Sequence, residues 1–445
     1  MLSVVHCSGN EDADRSPKQG ECSWKGGVAN LALTAIGAGI LSLPHAYCSV
    51  GLLFGLVISI LAALCTLKST SIIATRCAKA KKESYGQLVG SIFGQGAEST
   101  LQGSIILHVF GVMIVYLVIL ADILVGPAGS KNGLIPFMLG SAGKSWMVSR
   151  WFVTLVSLVT VVAPMLMARN LTAVSRFSRA SVYLLLYVAA TLLLLAGVAL
   201  FQGQSGIADV QMLPTWSTIG GYGGLLGFLS ATLTVFSVTA LAYTCQFNVV
   251  AVHNSLSDNR TVNMSKVLRV SVSLCGGLYI CVATSGYVLF GSKTDGDVLN
   301  NLTVQFASGL LGQHLAAVVV GLALVAYSLS LQVNFILKVW AVRQALCEAT
   351  LGVDANSLRT LPYHLTSFSL VSLAFCISIF VPSVWFMVSL VGSTACATFS
   401  YVFPGMILIR QPWTKQDKVI GIGAIWLASV LAITGILNTL NGHSG

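Results

Sequence analysis

Eleven apolar runs, each close to the length of one membrane crossing, constrain this chain more than any other feature. They lie near 25–48, 51–74, 101–126, 147–168, 180–201, 223–252, 268–290, 309–337, 365–381, 383–409 and 419–440. A helix needs about 20 residues to cross about 30 Å of hydrocarbon, and it satisfies its own backbone while doing so. The pattern predicts an all-α membrane protein with eleven transmembrane helices. Only Pro382-Ser383 separates the ninth and tenth runs. Proline tolerates the first turn of a helix and resists an interior position, so two spans restarting at Pro382 fit better than one very long one. Charged residues make up 9% of the chain against about 25% in a soluble domain. No separate soluble domain is expected: residues 1–24 read as a polar cytoplasmic tail, 25–440 as the membrane domain and 441–445 as a short tail.

Orientation follows from the basic residues. With the N-terminus in the cytoplasm, twenty lysines and arginines fall in inner segments and four, Lys131, Lys144, Arg150 and Lys293, in outer loops. Cytoplasmic loops of membrane proteins carry such an excess, and a missed span would scramble the alternation. The net charge of +10 is therefore a matter of topology, and the basic residues form no stripe with interleaved aromatics that would suit nucleic acid. No secretory leader pattern precedes the first span, which is expected to act as its own signal. The eleven cysteines contain no C-x-x-C pair and most lie within spans, so neither a disulfide framework nor a metal site is expected. Among the Asn-x-Ser/Thr sequons only the one at Asn301 falls in an outer loop, where it is open to glycosylation.

The first span contains Gly37-Ala38-Gly39, followed closely by Leu43-Pro44. Glycines lower the cost of leaving helical geometry, and Thr34 and Ser42 offer hydroxyls to the freed backbone. A half-helix N-terminus there would present N–H groups to an anion such as a carboxylate. The same glycines would equally serve a close helix packing face, and spacing alone leaves both readings open. The sixth span carries Ser237, Thr239, Thr244, Gln246 and Asn248, an unusual polar density at membrane depth. Gln246 and Asn248 need interior partners, whether a cavity or another helix. Interruptions five helices apart run in opposite directions through the membrane, as in an inverted repeat of five plus five helices with an eleventh added.

The run Ile36-Gly37-Ala38-Gly39-Ile40-Leu41-Ser42-Leu43-Pro44 resembles the first-helix signature of the amino acid/auxin permease family. The Tyr-Leu-Val-Ile-Leu-Ala-Asp run at 116–122, the Cys245-Gln246-Phe247-Asn248 region and the eleven spans are similar as well, so the likeness covers about 25–440. Within that family the chain looks nearer the sodium-coupled neutral and plant vacuolar branches. The resemblance implies a fold like that of the bacterial leucine transporter, with helices 1 and 6 broken. It also implies an amino acid held by main-chain groups from Leu33 and Thr34 to Gly37, Ala38 and Gly39. Phe236, Thr239, Tyr243 and Thr244 would complete the pocket and face the side chain. Sodium-coupled members have asparagine where this chain has Leu33, and their partner hydroxyl in the eighth helix falls near Val325, or by a slip on Ser328 or Ser330. Leucine and valine side chains offer no hard oxygen, so proton coupling or sodium-independent movement is expected.

Asp122 is an acid inside a span, a candidate proton relay or gate, or else an interfacial acid reaching outer water. His45, adjoining the motif, is the preferred histidine for coupling over His108 and His253; Gln246, Asn248 and Ser328 complete the candidate coupling or gating set. The glycine-rich stretch at 220–224 lacks the Lys-Ser/Thr of a phosphate loop, and no nucleophile elbow or paired soluble carboxylates occur, so neither enzyme chemistry nor a cofactor is called for. The expected function is secondary active transport of amino acids by alternating access, with neutral substrates preferred because no acid lies in the two breaks. The expected partners are the amino acid, protons and the lipid bilayer. A receptor that senses amino acids without net transport is the alternative. The host is the plasma membrane or a vacuolar or lysosomal membrane, whose non-cytoplasmic sides are topologically equivalent.

Overall fold

The computed structural model describes residues 23–440 apart from 128–129, 131–132, 140–145, 147, 168–170, 204–208, 257–259, 352 and 354, with the side chains of 38, 139, 171–180, 260–261 and 356 also left aside. The two predicted tails therefore lie outside the described residues, except for Ser23 and Trp24. Among the described residues there are ten helices long and apolar enough to span a membrane, and one bent pair that makes an eleventh candidate span. We number the spans α1 (Trp24–Ala35 with Gly39–Val50), α2 (Leu52–Ala80), α3 (Gln95–Leu124), α4 (Arg150–Met167), α5 (Ser181–Phe201), α6 (Leu225–Ser255), α7 (Val262–Lys293), α8 (Gln313–Leu351), α9 (Thr360–Phe380), α10 (Val384–Arg410) and α11 (Lys415–Leu440). The end of the bundle that the charge count assigns to the non-cytoplasmic side is called outer below.

Burial ranks the spans. In the most apolar window of α3 and of α10, 67% of the residues are buried, against 22% in α11, so α3 and α10 are central and α11 is peripheral. Central α3 packs on α4, α8, α9 and α10. The lipid-facing stripe of α2, Leu53, Val57, Ile60, Leu61 and Leu64, is exposed at helical spacing, as expected where the solvent is hydrocarbon. Hydroxyls at membrane depth mostly return to the carbonyl four residues back, as Thr70 does to Thr66 O (2.7 Å) and Thr239 to Val235 O (2.7 Å). That bond removes the cost of carrying a polar atom into the bilayer.

Two joints show how the sequence punctuates the fold. Gly51 alone joins α1 to α2, at φ +90, where a Cβ would also press on the Leu213 backbone at 3.2 Å. Only glycine adopts that conformation without strain. The loop beside it caps α2, since Leu52 and Leu53 donate their N–H groups to Gln211 O and Met212 O, each at 2.9 Å. At the α9–α10 joint the helix restarts at Val384, later than the expected Pro382. Ser383 is the cap, its Oγ accepting the Phe386 N–H at 3.2 Å, a role proline cannot fill, and Pro382 stays in the turn.

Candidate substrate site between the helix breaks

The first break begins where Ile36 leaves helical geometry with ψ 105, and Gly37 is fully extended at φ −146 and ψ −158. The two halves of α1 meet at 58°. After the Ile36 N–H, which reaches Ala32 O at 2.8 Å, the next bond of the turn is a long one from Ile40 N–H to Gly37 O at 3.4 Å. Pro44 then sits in the first turn of Leu43–Val50, where its missing N–H costs nothing.

The second break, in α6, is closed by side chains. Leu225–Ala242 ends, Cys245 turns at φ −140 and ψ 4, and the helix resumes at Val249. Gln246 Oε1 accepts the Cys245 N–H at 2.9 Å, and Tyr279 from α7 donates its hydroxyl to Ala242 O at 2.7 Å. Thr244 donates to Ala240 O at 3.1 Å and meets Cys396 Sγ at 2.9 Å. One bond ties the two breaks together: Asn248 Nδ2 donates to Thr34 Oγ1 at 2.8 Å, while Thr34 donates to Asn30 O at 2.8 Å.

Two cavities meet at Gly37 and Tyr116. The first lies between α1, α3, α5 and α8, with Leu33, Ser181, Tyr327, Ser330 and Asn334 on its walls. The second lies between α1, α3, α6, α8 and α10, and includes Thr34, Gly39, His108, Thr244, Phe247 and Lys338. The two glycines do different work. A Cβ on Gly39 would sit 3.2 Å from Ala242 Cα, so this glycine lets the breaks touch, whereas at Gly37 the nearest atom is Tyr116 Oη at 3.4 Å. Gly39 thus belongs to both readings left open above, and Gly37 chiefly to the cavity.

The remaining candidates fall out as follows. Leu33, Thr34, Gly37, Gly39 and Thr244 line a cavity; the side chain of Ala38 is outside the described set. Phe236, Thr239 and Tyr243 line neither. Phe236 lies near Tyr401 (6.3 Å between centroids), Thr239 is bonded within its own helix, and Tyr243 packs edge-on against Tyr279 (4.9 Å). The α6 wall is instead Leu241, Ala242, Thr244 and Phe247, because the helix has turned these residues toward α1 where it unwinds. On α8, Val325 is 41% exposed and faces away, and Ser328 is buried and bonded to Leu324 O at 2.8 Å. The hydroxyl that reaches a cavity is Ser330. The cavity face of α8 is Tyr327, Ser330, Leu331, Asn334 and Lys338, a polar stripe at helical spacing that was readable in the sequence and missed because each residue was weighed singly. Tyr116, on the wall of both cavities, lies in the 116–122 run that carries the family likeness, where only Asp122 is assigned a role from the sequence.

Asp122 is buried and paired with Arg150 of α4, which also donates to Gly126 O at 2.8 Å. In this structure the Asp122 side chain is turned to Arg150 and is 5% exposed. His45 donates its Nδ1–H to Thr294 O at 2.8 Å and stands edge-on to Trp385 (4.6 Å), so it anchors the α7–α8 loop. Gln246 is a cap for its own break, and Asn248 is the cross-break link. Asn301 sits in that outer loop with its amide engaged at both ends, to Asp295 N–H (2.7 Å) and Lys293 O (2.9 Å).

Comparison with known proteins gives this geometry its setting. The chain is 29% identical to the amino acid transporter AVT6A of Arabidopsis thaliana over 96% of this chain and 89% of that protein. It is 25% identical to vacuolar amino acid transporter 7 of Saccharomyces cerevisiae over 62% of this chain and 51% of that protein. A crystal structure of the Eremococcus coleocola manganese transporter superposes with a TM-score of 0.61 at 14% identity, covering 94% of this chain and 86% of that one. The fold is leucine-transporter-like, and the relatives are transporters rather than enzymes. Residues 20–439 match the family described as transmembrane amino acid transporter protein, and the chain belongs to that family.

Proposed function

We propose that this protein moves amino acids across a membrane by alternating access, binding the α-amino and α-carboxylate groups at the α1 break. The observation that carries the reading is that Gly37, extended at the α1 break, is shared by both cavities. Main-chain groups at a helix break are suited to a zwitterion. Neutral substrates fit best, since no carboxylate lines the described walls to hold a cationic side chain.

Sodium-independent or proton-coupled movement is the reading that the first cavity supports. Beside Leu33, the Asn334 amide donates to Ser181 Oγ (3.2 Å) and to the Ser330 main-chain O (2.9 Å), competing with an ion for these oxygens. A sodium ion requires several hard oxygens free to face it. The vacuolar naming of the yeast relative favours a vacuolar or lysosomal membrane, with the N-terminus in the cytoplasm. The receptor alternative draws no support from relatives named as transporters. Flux of a panel of radiolabelled amino acids into proteoliposomes, under sodium and proton gradients imposed separately, tests the proposal. Uptake that is indifferent to sodium is expected; strict sodium dependence would overturn the coupling, and transport of sugars alone the substrate class.

A further inference from the structure

The outer loop between α7 and α8 holds a carboxyl group with no role so far. Asp297 is 0% exposed. Its Oδ1 accepts the Leu299 N–H at 3.0 Å, and its Oδ2 is buried with no hydrogen-bond partner. An ionised carboxylate left with one hydrogen bond in a closed site is costly, and such a group keeps its proton.

The surrounding groups do not offset the charge. From α3 it senses Asp122, whose own partner is Arg150 of α4, a guanidinium bonded to Asp122 and to Gly126 O. Its own loop adds Asp295, held by Asn300 Nδ2 at 2.9 Å, and the exposed Lys293. Below it on α8 is Tyr327, near enough to sense its charge; α1 contributes His45, whose Nδ1–H is spent on Thr294 O, and α10 the uncharged Trp385 against Gly296. Among the described residues the Arg150 guanidinium pairs with Asp122, and Asp297 has no such cation bonded to it. Burial above all, opposed by the Leu299 N–H and reinforced by Asp122 and Asp295, raises Asp297 well above the usual carboxylate range.

The location gives this proton a consequence. The short helix Val298–Asn301, which Asp297 caps, packs both on α3 and on the Ala38–Ser42 turn of the α1 break. We propose that Asp297 is a proton-binding site for the outer compartment: the α7–α8 loop closes over the α1 break only with this carboxyl protonated, and opening returns the proton to outer water. The proposal rests on the alternating-access reading for its role in transport, and on the buried carboxyl alone for the proton. With the loop open, Asp297 would titrate near the ordinary carboxylate value of about 3.9. Because the closed state holds the proton more tightly, closure is favoured in acid and is lost progressively as outer pH rises above that value.

The test has two arms. Infrared difference spectra of the purified protein in lipid nanodiscs at neutral pH should contain the carbonyl stretch of a protonated carboxylic acid, absent from D297N, whose asparagine preserves the Leu299 cap. In oriented proteoliposomes, uptake of a radiolabelled mixture of the protein amino acids should fall as outer pH rises, by up to about tenfold per pH unit, and D297N should be flat. A D297N profile that follows the wild type, or a wild type without the band, overturns the proposal. A band without any flux keeps the proton site and removes the transport reading instead.

Discussion

The breaks in α1 and α6 lie side by side, with Ala242 against Gly39, yet they are built in opposite ways. In α6 the freed backbone is bonded by Gln246 and Tyr279, and the polar side chains that mark the interruption close it. In α1 the interruption is made of glycine and alanine, which carry no polar side chain to close it, and the bond entering its turn, from Ile40 N–H to Gly37 O, is long at 3.4 Å. Polar side chains at a helix break are therefore no measure of how available its backbone is. On the proposed function, the break with fewer polar side chains is the better candidate for binding, because a buried group already paired gains little from a ligand.

Four substitutions test that contrast, in descending order of effect. Gly39→Val drives a branched side chain into the Ala242 backbone, and overpacking of this kind costs about 1–3 kcal/mol; uptake should be lost with surface insertion retained, and normal uptake would remove the contact between breaks from the mechanism. Gln246→Leu strands the Cys245 N–H, at a cost of about 1–3 kcal/mol. A lower thermal midpoint in detergent with KM little changed is expected, and a changed KM at unchanged midpoint would place α6 in direct contact with substrate. Tyr279→Phe removes one bond to Ala242 O, worth about 1 kcal/mol, and should move the midpoint in the same direction by less. Gly37→Ala adds a methyl in van der Waals contact with Tyr116, so stability should shift by under about 0.5 kcal/mol. Transport should nevertheless fall in kcat/KM, read from initial rates; unimpaired transport would mean that this glycine only packs.

Much of the fold was legible in advance. Span number, the place of both breaks and the Leu33 departure from the sodium pattern can be read in one dimension, because lipid imposes length and polarity on each helix separately. The candidate site was legible along α1 and at Thr244 of α6. Phe236, Thr239 and Tyr243 were expected in the pocket from the family resemblance, but an unwound segment shifts which residues face inward. Ser330 rather than Val325 or Ser328 is likewise a matter of helix rotation about its axis, which an evenly apolar span does not encode.

The outer end makes the same point with charge. Arg150 was counted as a loop residue and Asp122 as a lone acid, and neither label reveals that they pair or that Asp297 is buried beside them. Taken alone, the sequence determined that this chain carries eleven candidate membrane spans and weakens at two depths, since those are properties of each segment in its solvent. Which groups meet at those depths, and whether a carboxyl finds a cation or must keep a proton, depends on how the helices rotate and pack. Only the tertiary structure decided that, because a contact belongs to two segments at once.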